Sequence, residues 1–167
     1  MKRHKIRTFR KSLRLFERLT AQQLKEDSCC QGVTLAQCHS ILEIEDLGQA
    51  TTVELSKRLG LDKSTLSRTI DGLVNIGLLE RVAHPTDRRF NLLSLTTKGQ
   101  EVADQINQSN DDFYRRVFDG IESERHDEVI DNFEKLIWAM RRHQDHLKKE
   151  IVKSSAKRRE HRNRRAF

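Results

Sequence analysis

The fold is decided by residues 51–77, which read TTVELSKRLGLDKSTLSRTIDGLVNIG. Thr51 or Thr52 can cap a short helix over residues 53–59, and Gly60 can close it. Asp62 can cap a second helix that Gly77 ends. The apolar residues of this second helix recur at helical spacing and are predicted to point inward: Leu66, Ile70, Leu73 and Ile76. A three-residue connection that contains glycine is typical of a helix-turn-helix.

The hydrophobic pattern changes after Gly77. Residues 79–82 and 90–95 predict two short strands, and the charged residues 84–89 between them predict a hairpin tip. The helix-turn-helix is therefore expected to be followed by a two-stranded β wing.

Helical patterns flank this module on both sides. The stretch before it predicts a five-turn helix with one apolar stripe, a loop at residues 26–32, and a second helix that Thr34 caps and that ends near Gly48. Thr96 can cap a long helix after the wing, residues 119–123 interrupt it, and a last helix follows. The first stripe consists of Ile6, Phe9, Leu13, Phe16, Thr20 and Leu24.

Composition supports a mainly α protein. The chain has 167 residues with one proline and seven glycines, which leaves few turns for an all-β fold. Apolar residues make up only 35%, so the long helices are expected to complete their core by pairing with a second copy. We predict a helical dimerisation domain (1–33 and 100–147), a winged helix-turn-helix DNA-binding domain (34–99) and a basic C-terminal tail (148–167).

Several protein classes are excluded by what the sequence lacks. No apolar run approaches the roughly 18 residues of a membrane helix, so no membrane contact is expected. No secretory signal is recognised, and three cysteines favour a reducing, cytoplasmic compartment over a disulfide framework. Neither a glycine-rich phosphate loop nor a nucleophile elbow is present, so the chain is not expected to be an enzyme.

The net charge of +7 is concentrated at the two ends of the chain. Residues 1–18 carry eight Lys or Arg against Glu17, and residues 148–167 carry nine against Glu150 and Glu160. Residues 51–99 carry a local excess of basic residues. Such segments attract polyanions by releasing condensed counterions. For 148–167 we favour a solvated tail, either a fraying helix or a disordered segment, although it could add non-specific affinity for nucleic acid.

The second helix of the helix-turn-helix carries the candidate DNA-binding residues. Short polar side chains let a helix lie deep in the major groove, Arg68 can form two hydrogen bonds with a guanine edge, and the helix N-terminus offers N–H groups to a phosphate. Arg88 and Arg89 at the wing tip suit a narrow minor groove, and Asp87 braces the hairpin. The remaining candidates are Thr52, Lys63, Ser64, Thr65 and Ser67. Taken alone, such residues are usually only a solvated helix face.

Four motifs occur in a specific order: STLSRTIDGL at residues 64–73, GLLER at 77–81, PTDRR at 85–89 and LTTKG at 95–99. They resemble the recognition helix, wing and following helix of the MarR-type winged-helix transcriptional regulators. The resemblance in element order covers roughly residues 5–147. His84 departs from the family pattern, since many members carry an acidic residue or Asn there.

This resemblance implies a homodimer that binds a pseudo-palindromic operator on double-stranded DNA. The recognition helices would enter successive major grooves about one turn, roughly 10 base pairs, apart. A small ligand or a redox event would change the spacing of the two DNA-binding lobes and release the operator, which implies an inducible repressor.

The cysteines are candidates for sensing such an effector. Cys29 and Cys30 fall in the predicted loop, and Cys38 and His39 lie one turn inside the next helix. No cofactor is required, but three thiolates could converge on a soft metal or metalloid ion, or react with an oxidant. Zinc-sensing relatives use histidines in the helix after the wing, and residues 102–117 contain none. The alternative is that Cys38 is a small buried apolar residue and His39 a surface residue, with no sensing role.

A helical interaction module, whose winged fold binds protein rather than DNA, is the competing function. Operator binding should weaken steeply with salt while it retains sequence preference. A protein-binding wing should ignore duplex DNA.

Overall fold

The computed structural model describes residues 2–30, 32–83 and 91–164, with the side chains of these residues except 24–30 and 151–164. The elements run in the order α1 (Arg3–Cys30), α2 (Leu35–Leu47), β1 (Ala50–Thr51), α3 (Thr52–Leu59), α4 (Lys63–Asn75), β2 (Leu79–Ala83), β3 (Asn91–Leu95), α5 (Thr97–Phe118), a 3₁₀ turn (Ser123–Arg125) and α6 (His126–Arg164). The chain divides into two compact units, Met1–Phe113 and Tyr114–Phe167. The predicted mainly α winged helix-turn-helix is confirmed.

The helix starts follow the sequence signals closely. Thr34 caps α2 and Thr51 caps α3, each through a capping box in which the residue three positions later returns the hydrogen bond. Gly60 closes α3 in the left-handed conformation, with φ of 64°. Thr51 rather than Thr52 is therefore the N-cap, and Thr52 is the first residue of α3.

The core of the first unit lies where α2, α3, α4 and the sheet meet. Its fully buried side chains come from every one of these elements, and α5 adds Ala103 and Ile106. Burying apolar surface of this kind is the main term that stabilises the fold. The largest of these buried side chains are Ile41, Ile44, Leu55, Leu66, Ile70, Leu73, Leu79 and Leu93.

The sheet has three strands in the order β1-β3-β2, all antiparallel. The predicted two-stranded wing, β2 and β3, is confirmed, and a third strand that the sequence did not predict joins it, because Ala50–Thr51 pairs with Leu92 and Leu93 of β3. A strand of two residues has no periodicity that a sequence pattern could reveal. In the hairpin, Leu79 pairs with Leu95 and Ala83 with Asn91.

Two expectations are corrected, and a third is narrowed. Residues 26–30 are not a loop, since α1 runs to Cys30; the apolar stripe ends earlier, but no helix breaker occurs before Gly32, whose φ is 67°. Ile76 does not point inward but is 45% exposed, because α4 has already ended at Asn75. Residues 148–164 continue α6, since they contain neither Gly nor Pro, and of the two alternatives given for this segment the structure has the helix.

The domain boundaries predicted from sequence remain a prediction. No helix within the described residues is long and apolar enough to cross a membrane.

Candidate nucleic-acid interface

The N-terminus of α4 is organised by Asp62. One carboxylate oxygen of Asp62 accepts hydrogen bonds from the backbone N–H groups of Ser64 and Thr65, at 3.0 and 2.9 Å. The hydroxyl of Ser64 donates to the same oxygen at 2.7 Å, and the hydroxyl of Thr65 donates to the other oxygen at 2.6 Å. The first turn of α4 is therefore fixed by four hydrogen bonds to one side chain.

These bonds hold the pKa of Asp62 far below its ordinary value of 3.8, chiefly through the two hydroxyl donors. Asp62 is thus an anion at the head of the helix. The N–H groups of Ser64 and Thr65 are bonded to Asp62, so the expectation that the helix N-terminus offers free N–H groups is wrong for these two groups. The sequence predicts Asp62 as the N-cap of α4, and an N-cap side chain binds the N–H groups of the first helical turn.

The polar residues singled out from the sequence share one exposed face of α4. Leu66 and Ile70 are buried beneath them, and this burial fixes which way the helix faces. The exposed set consists of Lys63, Ser64, Thr65, Ser67 and Arg68.

The members of this face differ in what they can donate. The hydroxyls of Ser64 and Thr65 donate their protons to the Asp62 carboxylate. Towards any further partner these two hydroxyls can therefore act only as acceptors, through their oxygen lone pairs. Within the described part of the chain, the side chains of Ser67 and Arg68 hold no hydrogen bond. Arg68 has five N–H donors in a planar fork, the geometry that matches guanine O6 and N7.

The remaining predicted DNA contacts are less informative. Thr52 is half-buried at the start of α3. Asp87, Arg88 and Arg89 lie outside the described residues, so their predicted roles stay predictions. The wing strands are connected to α4, because Arg81 of β2 forms an ion pair of 2.5 Å with Asp71 of α4.

A second polar cluster joins the end of α4 to the start of α5, and the sequence analysis named only its Thr96, as the cap of α5. The Thr96 hydroxyl donates to the carbonyl of Gly77 at 2.7 Å and accepts from the N–H of Gly99 at 3.0 Å. The Lys98 ammonium donates to the carbonyl of Ile76 at 3.1 Å. We call Thr96, Lys98 and Gly99 the α4–α5 clasp. The motif at residues 95–99 was its only sequence signal.

Another link joins α2 to α5. The half-buried Glu45 carboxylate accepts from the side-chain amides of Gln100 and Asn107, both at 2.7 Å. Long-range polar pairs of this kind have no local signature, and the sequence gives no sign of them.

Of the four candidate effector residues, the structure describes the side chains of Cys38 and His39. Cys38 is 7% exposed and belongs to the core, whereas its neighbour His39 is exposed. Cys29 and Cys30 occupy the last turn of α1, and their side chains lie outside the described residues. No group of three potential metal ligands occurs among the side chains that the structure describes.

Comparisons with known proteins agree with this geometry. The profile of the MarR family matches residues 33–90. The multiple antibiotic resistance protein MarR of Escherichia coli is 38% identical over 76 residues, which are 46% of this chain and 53% of that protein. This chain therefore spans about half the length of the first curated relatives it matches. A Bacillus subtilis HTH-type transcriptional regulator, YsmB, is 30% identical over 75% of this chain and 83% of its own length.

Solved structures extend the likeness over most of the chain. Wild-type E. coli MarR superposes with a TM-score of 0.66 at 26% identity and covers 75% of this chain and 93% of its own. A MarR regulator from Methanosarcina mazei shares the fold, with a TM-score of 0.72 at 19% identity over 81% of this chain and 98% of its own. YsmB and the M. mazei protein are named as transcriptional regulators, in agreement with the expectation that the chain is not an enzyme. Sequence motifs, fold and relatives together show that the chain belongs to the MarR family.

Proposed function

We propose that this protein is a sequence-specific DNA-binding regulator of transcription, and that α4 is its recognition helix. One observation carries the proposal: α4 buries Leu66 and Ile70 and exposes a face of short polar and basic residues that ends in Arg68. A major groove about 12 Å wide admits a helix of this kind. Arg68 would read a guanine edge, and Lys63 would contact a phosphate.

The order of the α4 head supports this role. The cap by Asp62 fixes Ser64 and Thr65 before any DNA is bound, so little conformational entropy is lost on docking. Because their protons are committed, these two hydroxyls would accept hydrogen bonds from base amino groups. They would therefore favour cytosine N4 or adenine N6 as partners.

A solved relative gives further support. A mutant MarR from E. coli, crystallised with operator DNA, superposes with a TM-score of 0.66 at 26% identity and covers 79% of this chain and 95% of its own. By analogy we assign this chain an operator made of two half-sites, bound by a homodimer that acts as a repressor.

Exposed apolar side chains support the homodimer. On α1, Phe9 and Leu19 are 42% and 59% exposed, and on α6, Ile130 and Trp138 are 48% and 62% exposed. Large apolar groups at such exposure on long helices are typical of a surface that a partner covers. The partner we assign is a second copy, which would bury the same residues on both sides.

Release by a thiol-reactive effector is proposed for Cys29 and Cys30 alone. Their adjacent positions in the last turn of α1 could hold a soft metalloid or metal ion or be oxidised. Cys38 is removed from this set because it is buried in the core, and His39 because it belongs to no group of three potential metal ligands among the described side chains.

The proposal is tested by fluorescence anisotropy with purified protein and duplexes from the DNA upstream of its own gene, with shuffled duplexes as the control. We expect one upstream segment to bind at least a thousandfold more tightly than its shuffled version at physiological salt. Raising the salt should weaken both complexes while the preference remains.

Two results would contradict the proposal. Equal affinity for upstream and shuffled duplexes would remove sequence specificity. The absence of duplex binding at low salt would favour the protein-interaction module instead, since a wing that binds protein is not expected to bind DNA phosphates.

A further inference from the structure

A row of arginines follows one side of α1. Arg3, Arg7, Arg10, Arg14 and Arg18 are separated by steps of four, three, four and four residues. Steps of three and four keep side chains on one face of a helix. We call this set the α1 arginine row.

The row is accessible and almost unopposed in charge. All five arginines are exposed, and so are the neighbouring Lys2, Lys5 and Lys11. Glu17 is the sole acidic residue among the first 18. Since α1 also packs against α2, the row is carried by a helix that is fixed to the first unit.

We propose that the α1 arginine row binds the phosphate backbone of duplex DNA without regard to base sequence, as a contact surface additional to the recognition helix. The row supplies charge and donors but no pattern that could distinguish bases. Its role would be to raise the affinity of the protein for any duplex.

The spacing and the residue type both favour DNA. The row is about 22 Å long at 1.5 Å per residue, which parallels six or seven phosphates of one strand at about 3.4 Å each. All five positions are Arg, whose planar fork binds phosphate oxygens through two hydrogen bonds at once. A general solubilising face would carry both signs of charge.

An anionic membrane surface is the competing partner, since basic helices with an apolar stripe also bind lipid headgroups. The structure favours DNA because α1 is packed on α2. Its exposed apolar residues are also assigned above to the contact between two copies.

The test variant is the triple substitution Arg7→Gln, Arg10→Gln and Arg14→Gln, which removes three charges and keeps good helix formers. The control variant is Arg125→Gln, Lys135→Gln and Arg142→Gln, which removes the same charge from exposed positions on another part of the chain. Two of the control residues already face carboxylates, Arg125 at Glu128 and Lys135 at Asp131. Circular dichroism and sedimentation are measured first, and only variants with the fold and oligomeric state of the wild type are compared.

Binding of a random duplex is measured by anisotropy at several salt concentrations. Each lost phosphate contact reduces the magnitude of the slope of log K against log salt by about 0.9. The slope of the row variant should therefore be smaller in magnitude by roughly 2.7 per protomer, and the slope of the control variant should change far less. The affinity of the row variant should fall by the same factor for random and upstream duplexes. An unchanged slope would overturn the proposal, and so would a loss of binding to phosphatidylserine vesicles without a loss of DNA binding.

This readout is separable from the function proposed above. If the protein shows no sequence preference, the row variant should still bind a random duplex with a smaller salt slope than the wild type. If the protein prefers the upstream duplex but the row variant has the same salt slope as the wild type, the proposed regulator function stands and the role of the α1 arginine row is refuted.

Discussion

The backbone of Gly99 passes directly against the carbonyl oxygen of Leu78, so closely that a Cβ atom at Gly99 would overlap it. Gly99 lies in the first turn of α5, and Leu78 follows the end of α4. The same junction contains the Thr96 hydroxyl bound to the carbonyl of Gly77. The end of α4 is therefore positioned by the start of α5.

Substituting Gly99→Ala should destabilise the protein by about 1–3 kcal/mol or more, because backbone on both sides would have to separate. In a chain of this size that corresponds to a fall in melting temperature of roughly 2–4 °C per kcal/mol. Gly72→Ala is the matched control. It is also a helical glycine, but its nearest obstacle is the flexible amide of Gln37 at 3.1 Å, so we expect little change. Equal melting temperatures for the two variants would show that the junction can relax.

The parts of this fold that could be predicted from sequence are those with local causes. Thr34, Thr51 and Asp62 cap helices because their side chains reach N–H groups two or three residues away, and such signals need no tertiary context. The exposed face of α4 followed from the spacing of Leu66 and Ile70. The features that were missed depend on distant partners. Strand β1 exists only because β3 pairs with it, and the Glu45 link spans 55 residues to Gln100.

Asp62 should make the stability of α4 sensitive to acid. Its pKa is lowered in the folded chain, so its contribution is fully present above its ordinary value of 3.8 and is lost as the pH falls towards the folded value. Asp62→Asn keeps an N-cap that does not titrate. At neutral pH the wild type should therefore melt above the variant, and the gap should narrow as the pH drops below about 4. A gap that stays constant down to pH 2 would mean that the Asp62 charge is not what holds the cap.

Arg68→Ala should relax base preference at one position of the half-site and cost about 1–3 kcal/mol on the best upstream duplex, with a smaller loss on shuffled DNA. Arg89→Ala at the predicted wing tip should weaken all duplexes more evenly, since minor-groove contacts read mainly width and charge. Anisotropy on the two duplex sets measures both. Arg116→Ala, which removes an exposed arginine outside the helix-turn-helix, is the control. An equal loss on both duplex sets for Arg68→Ala would exclude major-groove readout by this side chain.

Leu19→Glu together with Trp138→Glu should shift the protein towards monomers. Both side chains are more than half exposed in the single chain, so the charges cost little there and would be costly in a dry interface. Analytical ultracentrifugation over a range of concentrations should show a dimer dissociation constant raised at least a hundredfold. Gln144→Glu on the same helix as Trp138 is the control for added charge on α6. A double variant with the sedimentation profile of the wild type would place the dimer contact elsewhere.

The thiols should divide into two classes of reactivity. Cys38 is 7% exposed in the core, so in the native protein it should react with a thiol reagent at least a hundredfold more slowly than after unfolding in guanidinium.

Cys29→Ser with Cys30→Ser should leave DNA affinity unchanged and abolish release by arsenite, cadmium or peroxide. Cys38→Ser should lower the melting temperature, because a hydroxyl replaces an apolar core group, and should keep release. Release by arsenite that survives in the Cys29 and Cys30 double variant would rule out these two thiols as the sensor. The effector would then have to act through another site in the chain.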